Sequence, residues 1–124
     1  MTAANRTLTP SMEDYLETIL ILQRERGVCR GIDIADRLSF SKPSVSVALK
    51  KLATNGYIAK DPEGVRLTQS GMEIANRILE RHLFFSDFFS ALGIDPETAD
   101  HDACLIEHRI SSETFNKLRE WWFS

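Results

Sequence analysis

A chain of 124 residues, 43% hydrophobic and 27% charged, has the make-up of an ordinary soluble protein with one core, or a small domain with a helical one appended. No apolar run approaches the roughly 20 residues that span a bilayer, and the polar start MTAANRTLTPSMEDY lacks the apolar stretch of a secretory signal. The net charge of −3 is unevenly spread: residues 30–66 carry seven basic side chains against four acidic, residues 67–124 five against ten, so a basic middle precedes an acidic end.

In chain order, Thr9-Pro10-Ser11 opens a first helix, with Ser11 or Thr9 as cap, Glu13 and Asp14 at its positive end, and Gly27 closing it. A short helix over about 32–38 turns Ile32, Ile34, Ala35 and Leu38 inward, and Ser39-Phe40-Ser41 makes a turn. The third helix runs from Lys42 to about Asn55, capped by Ser41 with Pro43 in its first turn. Tyr57-Ile58-Ala59-Lys60 and Val65-Arg66-Leu67 form a hairpin around the turn residues Asp61-Pro62-Glu63-Gly64. A long helix follows Thr68 to about Leu92, a shorter one runs from Asp95-Pro96-Glu97 through Ile110, and a last one from Ser111 ends in Trp121-Trp122-Phe123. The fold class expected is mainly α: a winged helix-turn-helix domain over 1–71, then a helical dimerisation and metal-binding domain over 72–124. Met72, Ile74, Ile78, Leu79, Phe84, Phe85, Phe88 and Phe89 exceed what one thin helix can bury, so some should form a symmetric homodimer interface.

The second helix of a helix-turn-helix enters the major groove of double-stranded DNA with its N-terminal residues toward the bases. Here that helix begins Ser41, Lys42, Pro43, Ser44, and its small hydroxyls, with Ser46, let the backbone approach phosphates. Val45, Leu49 and Leu52 are spaced to face the core, leaving Lys50 and Lys51 for phosphates and Val47 for a thymine methyl. Lys60 and Arg66 on the wing reach for the backbone or minor groove. The bland alternative for each lysine is a solvated face.

Cys104, Glu107 and His108 stand at i, i+3 and i+4 in DACLIEHRIS, neighbours about 5–6 Å apart on one helix face. A thiolate, a carboxylate and an imidazole converging there suit a borderline divalent transition metal. Asp14 and Glu17 share a face of the first helix, and His82 lies mid-helix among apolar residues. Together the six enclose one metal ion or two adjacent ones. Singly, Asp14 and Glu17 also read as helix-start acids, His82 as a partly buried histidine, Cys104 as a small core residue and Glu107-His108 as an exposed pair. The two cysteines are too few for a disulfide framework; Cys29 reads as a buried loop thiol, and the expected location is cytoplasmic, with no membrane partner. The Trp121-Trp122-Phe123 end reads as plain helix packing.

SMEDYLETI, SKPSVSVALKKLATNGYI, LTQSGMEIA, ERHLFFSDFFSALGID and DACLIEHRIS, in that order, resemble the metal-dependent repressors of the diphtheria toxin repressor and manganese transport regulator family, from about Pro10 to Leu118. The resemblance implies a winged-helix domain, a helical dimerisation domain with metal bound between them, and a homodimer on a palindromic operator of metal-uptake genes. It supports Asp14, His82, Glu107 and His108 as ligands, and Glu17 matches the manganese-type branch. Cys104 matches the iron-type branch, so the chain is a hybrid. The iron-type ancillary site is incomplete, with Ser86 in place of its glutamate and Asp100 in place of its further histidine. Read to Ser124, the chain leaves no room for the SH3-like domain of longer iron-type members, which sides with the manganese type. The expected cofactor is Fe²⁺ or Mn²⁺, iron slightly favoured by the thiolate, with other divalent transition metals binding in vitro. Metal would fix the first helix and the spacing of two recognition helices. The rival readings are a metal-independent winged-helix regulator with a structural metal site, and a metal-dependent hydrolase, for which no general base and no HExxH motif can be named.

Overall fold

The computed structural model describes residues 8–124, and the chain divides into two compact units, Met1–Asn76 and Arg77–Ser124. The expectation about a secretory signal falls largely on residues 1–7, outside the described residues.

In the first unit, α1 (Pro10–Arg26) starts where the Thr9 hydroxyl accepts from the Met12 amide at 3.1 Å, and it stops at Gly27, whose φ of 79° suits glycine. Its buried face carries Tyr15, Leu16, Ile19, Leu20 and Leu22. α2 (Gly31–Leu38) buries Ile34 and Ala35, and Ser39 turns the chain in the left-handed region at φ 58°. Contrary to the periodicity, Ile32 is 48% exposed: a helix of eight residues has a narrow inner stripe, and Ile32 sits off it in the first turn. α3 (Lys42–Thr54) is capped by Ser41, and α1 packs against both α2 and α3.

β1 (Ile58–Asp61) pairs antiparallel with β2 (Gly64–Leu67), Asp61 opposite Gly64, leaving only Pro62-Glu63 as the loop. The Asp61 carboxylate accepts from the Glu63 and Gly64 amides at 2.9 and 3.0 Å, which locks that loop. Cys29 bridges to Val65 as a third short edge, its carbonyl accepting from the Val65 amide at 2.7 Å. A Cβ on Gly64 would stand 2.4 Å from that carbonyl, so the close approach demands glycine. Cys29 is fully buried, and burial pushes its thiol pKa up to about 11. α4 (Gln69–Ala91) begins where the Thr68 hydroxyl accepts from the Gly71 amide at 3.2 Å.

The second unit comprises the rest of α4 with α5 (Pro96–Ile106) and α6 (Ser112–Phe123). Phe84, Phe85, Ala103 and Phe115 form its core, with Phe88, Phe89, Ile106, Ile110 and Leu118 packed around them. Much of the aromatic surplus read from α4 is therefore covered within the chain, and Leu83, Leu92 and Leu105 are among the exposed apolar residues instead. The aromatic end of α6 is a further correction: Trp121 and Phe123 are exposed, because a last helical turn has few neighbours, while Trp122 still meets the Phe88 ring edge-on at 5.1 Å. α5 ends at Ile106, a turn earlier than expected, with Glu107 as its C-cap. Among the described residues, no helix is long and apolar enough to cross a membrane.

Candidate metal centre and nucleic-acid face

In the first unit, burial of Val45, Leu49 and Leu52 fixes the rotation of α3 and turns Ser44, Ser46, Val47, Lys50 and Lys51 to solvent. Val47, a β-branched apolar residue left 57% exposed, has no folding reason to be there. At the helix start, Ser41 accepts from the Ser44 amide at 3.3 Å and donates to the Ser44 hydroxyl at 2.8 Å, while Lys42 and Pro43 stand exposed beside them. A groove of about 280 Å³ runs past Lys42 and Ser46 to Lys60 on β1. The wing's Arg66 is engaged differently: Nε and Nη2 donate to Asp61 Oδ2 at 2.9 and 2.6 Å, and the guanidinium holds that carboxyl below its usual range. Arg66 stiffens the wing as much as it offers charge.

The metal-ligand candidates of the second unit gather where α4 faces the end of α5. His82 Nδ1 lies 3.7 Å from Cys104 Sγ and 3.5 Å from Glu107 Oε2, and His108 Nε2 lies 3.6 Å from Glu107 Oε1. Two donors on one ion at metal–ligand lengths of about 2.0–2.3 Å stand about 3–3.8 Å apart, so each of these pairs is spaced as two ligands of one ion are, while Cys104 groups within 4.8 Å with His82 and Asp100. Glu107 has no exposed surface, whereas Cys104 is exposed, which removes the reading of its thiol as a core filler. Cys104 first, and Glu107 second, raise the His82 pKa to about 11 against the desolvation that lowers it. Without metal the imidazole therefore holds a proton that an ion must displace.

Asp14 and Glu17 lie one turn apart on α1 in the first unit, Asp14 partly buried and Glu17 buried. The helical spacing read for Cys104, Glu107 and His108 holds only in part, since Glu107 keeps helical angles (φ −59°, ψ −27°) as the cap and His108 already lies in the following turn.

Two residues that the sequence gave no role as ligands or supports also shape this cluster. Arg81, buried, donates from Nη1 to the carbonyls of Glu107 (3.3 Å) and Ile110 (2.7 Å) and from Nη2 to Ser112 Oγ at 3.0 Å, with its guanidinium over the Phe115 ring. It satisfies the carbonyls of the cap residue Glu107 and of Ile110 in the turn beyond it, and so holds the turn that carries Glu107 and His108. Asp100 lies 2.8 Å from His82 Nε2. The sequence marks it only as standing in place of the further histidine of the iron-type ancillary site, and it lies four residues before Cys104, one turn away on α5.

Residues 7–64 match the iron-dependent repressor N-terminal DNA-binding domain, and residues 68–121 the iron-dependent repressor metal-binding and dimerisation domain. The chain is 43% identical over 109 residues to the transcriptional regulator MntR of Escherichia coli O6:H1, covering 87% of this chain and 70% of that protein. It is 38% identical over 111 residues to the HTH-type transcriptional regulator MntR of Listeria monocytogenes serotype 4a, covering 89% and 78%. Among solved structures, that of the manganese regulator SloR is similar with a TM-score of 0.79 at 28% identity, over 93% of this chain and 54% of that one. The chain thus spans about half the length of that structure.

Proposed function

This chain belongs to the iron-dependent repressor family of metal-dependent transcriptional regulators, and from that premise we propose that it represses metal-uptake genes in the cytoplasm, bound as a homodimer to palindromic operator DNA when Fe²⁺ or Mn²⁺ fills its metal centre. The observation that carries this reading is the gathering of two imidazoles around the fully buried Glu107 carboxylate, with the Cys104 thiol beside one of them, His82. Residues 1–71 form the DNA-reading part and residues 72–124 the metal-binding and dimerising part.

A bound ion supplies a divalent charge that takes the place of the proton on His82. Glu107 and His108 would hold the ion with His82 and Cys104, and Asp14 and Glu17 would join as further ligands on the strength of the sequence pattern. The mixed sulfur, nitrogen and oxygen donors favour Fe²⁺ somewhat over Mn²⁺, because affinity for such sites rises along that series. Asp14 and Glu17, as ligands, would tie down α1, on which α2, α3 and β2 rest. The recognition residues Ser44, Ser46 and Val47 then meet bases, and Lys42, Lys50, Lys51 and Lys60 meet phosphates. Half-sites about 34–36 Å apart select one spacing of the two recognition helices, and metal raises operator affinity only as far as it prefers that arrangement.

The test is an anaerobic titration of metal-free protein with Fe²⁺ and with Mn²⁺ while binding to its own promoter DNA is followed. The expected result is a gain on the order of 10-fold or more that Asp14→Ala and His108→Ala both lose. Equal affinity in chelator contradicts it and leaves a metal-independent winged-helix regulator.

A further inference from the structure

We propose that Asp100 is the positioning residue of the metal centre: its carboxylate accepts a hydrogen bond from the Nε2–H of His82 and so reserves Nδ1 as the ligand atom. The inference rests on the metal-centre reading above and adds a residue outside that ligand set. His82 Nε2 lies 2.8 Å from Asp100 Oδ1, while Nδ1 of the same ring faces Cys104 Sγ at 3.7 Å and Glu107 Oε2 at 3.5 Å. The two ring nitrogens point away from each other. An ion held by Nδ1 with either Cys104 or Glu107 is therefore out of reach of an oxygen seated on Nε2. Asp100 is thus no ligand of that ion, although ligand atoms of His82, Asp100 and Cys104 all lie within 4.8 Å of one another.

The chemistry of the contact fixes the rest. A carboxylate oxygen accepts, so Nε2 carries the hydrogen, and a neutral imidazole with its hydrogen on Nε2 has its lone pair on Nδ1. A carboxylate behind a metal-binding histidine in this way sets its tautomer, holds the ring plane and raises its basicity. One helix supplies both partners of the ring. Asp100 and Cys104 are one turn apart on α5, and their neighbours Ala99 and Ala103 are both buried, so α5 presents the two side chains beside His82. Asp100 itself is largely exposed, so its removal leaves the core untouched.

The experiment uses the full chain, ¹⁵N-labelled at histidine and loaded with Zn²⁺ as a diamagnetic probe. Proton–nitrogen correlation reads which nitrogen of His82 is protonated, and competition with a chromophoric chelator reads Zn²⁺ affinity. In the wild type, His82 should bind through Nδ1 and show an exchange-protected Nε2–H. Asp100→Ala should lose that protection and about 10-fold or more in affinity, while Asp100→Asn, which keeps an acceptor oxygen, recovers most of both. Three results overturn the proposal: ligation through Nε2, an alanine variant within about twofold of wild type, or an asparagine variant as impaired as the alanine one. Failure of the underlying reading looks different, because His82 would then not respond to Zn²⁺ in the wild type and Cys104→Ala would bind as tightly, and the inference would fall with it.

Discussion

The side chains of α3 assigned to DNA stand in a row on its exposed face, whereas the four of the second unit assigned to metal lie where α4 faces the end of α5, among them a carboxylate with no exposed surface. The first arrangement needs only one buried stripe, Val45, Leu49 and Leu52, to aim every other residue outward. The second is held by Arg81 from one side and, on our proposal, by Asp100 from another. The contrast follows from the two tasks. Lysines reach phosphates through flexible stems and tolerate ångström errors, while an ion requires its donors within a few tenths of an ångström. A metal centre is therefore built where several neighbours fix each ligand, and a nucleic-acid face where few do.

That contrast can be broken by mutation, and the largest effect is expected at its most buried member. Glu107→Ala should lower metal affinity by about 100-fold or more, read by chelator competition, while binding to DNA in chelator stays at the wild-type level. Next comes the support. Arg81→Ala uncovers the Glu107 and Ile110 carbonyls and should destabilise the protein by about 2–4 kcal/mol, seen as a lowered unfolding midpoint in urea. An exposed residue of α3 such as Ser46, changed to alanine, should leave that midpoint where it is.

The pH response sharpens the same comparison. The His82 pKa is raised, so near neutrality an incoming ion displaces a proton from it. Metal affinity should then rise by about tenfold per pH unit from 6 to 8 and fall as the solution is acidified. Non-specific DNA binding by the lysines should hardly move over that range. The smallest effect belongs to those lysines singly. Lys50→Ala should weaken DNA binding severalfold on any sequence and reduce the salt slope by about 1, with metal affinity unchanged. A drop in metal affinity in that variant, or sequence-dependent weakening, would contradict the division of labour.

How much of this was legible in the sequence follows the same line. The caps Thr9 and Ser41, the stop at Gly27 and the hairpin turn at Asp61–Gly64 are written in local chemistry and appear where that chemistry puts them. The six ligand candidates were legible as residue types at suggestive spacing, four of which gather within the second unit. What the sequence hid is long-range. No glycine or proline marks the end of α5 at Ile106; the carbonyls of Glu107 and Ile110 just beyond it are taken by Arg81, 26 and 29 residues earlier in the chain. Asp100 reads in the sequence only as a departure from the iron-type ancillary site, and its place beside His82 emerges once α4 lies against α5. Ile32 misled for the opposite reason, since a periodicity over eight residues cannot tell the centre of a buried stripe from its edge.

The account's central claim is that Cys104 is a metal ligand in a centre shared with His82, Glu107 and His108. It is tested most directly by anaerobic titration of the metal-free protein with Co²⁺, watching for the thiolate-to-metal charge-transfer band. The band should grow to saturation in wild type and in Cys29→Ala, whose thiol is buried in the first unit, and be lost in Cys104→Ala. A band that survives Cys104→Ala, or none in the wild type, would contradict the claim.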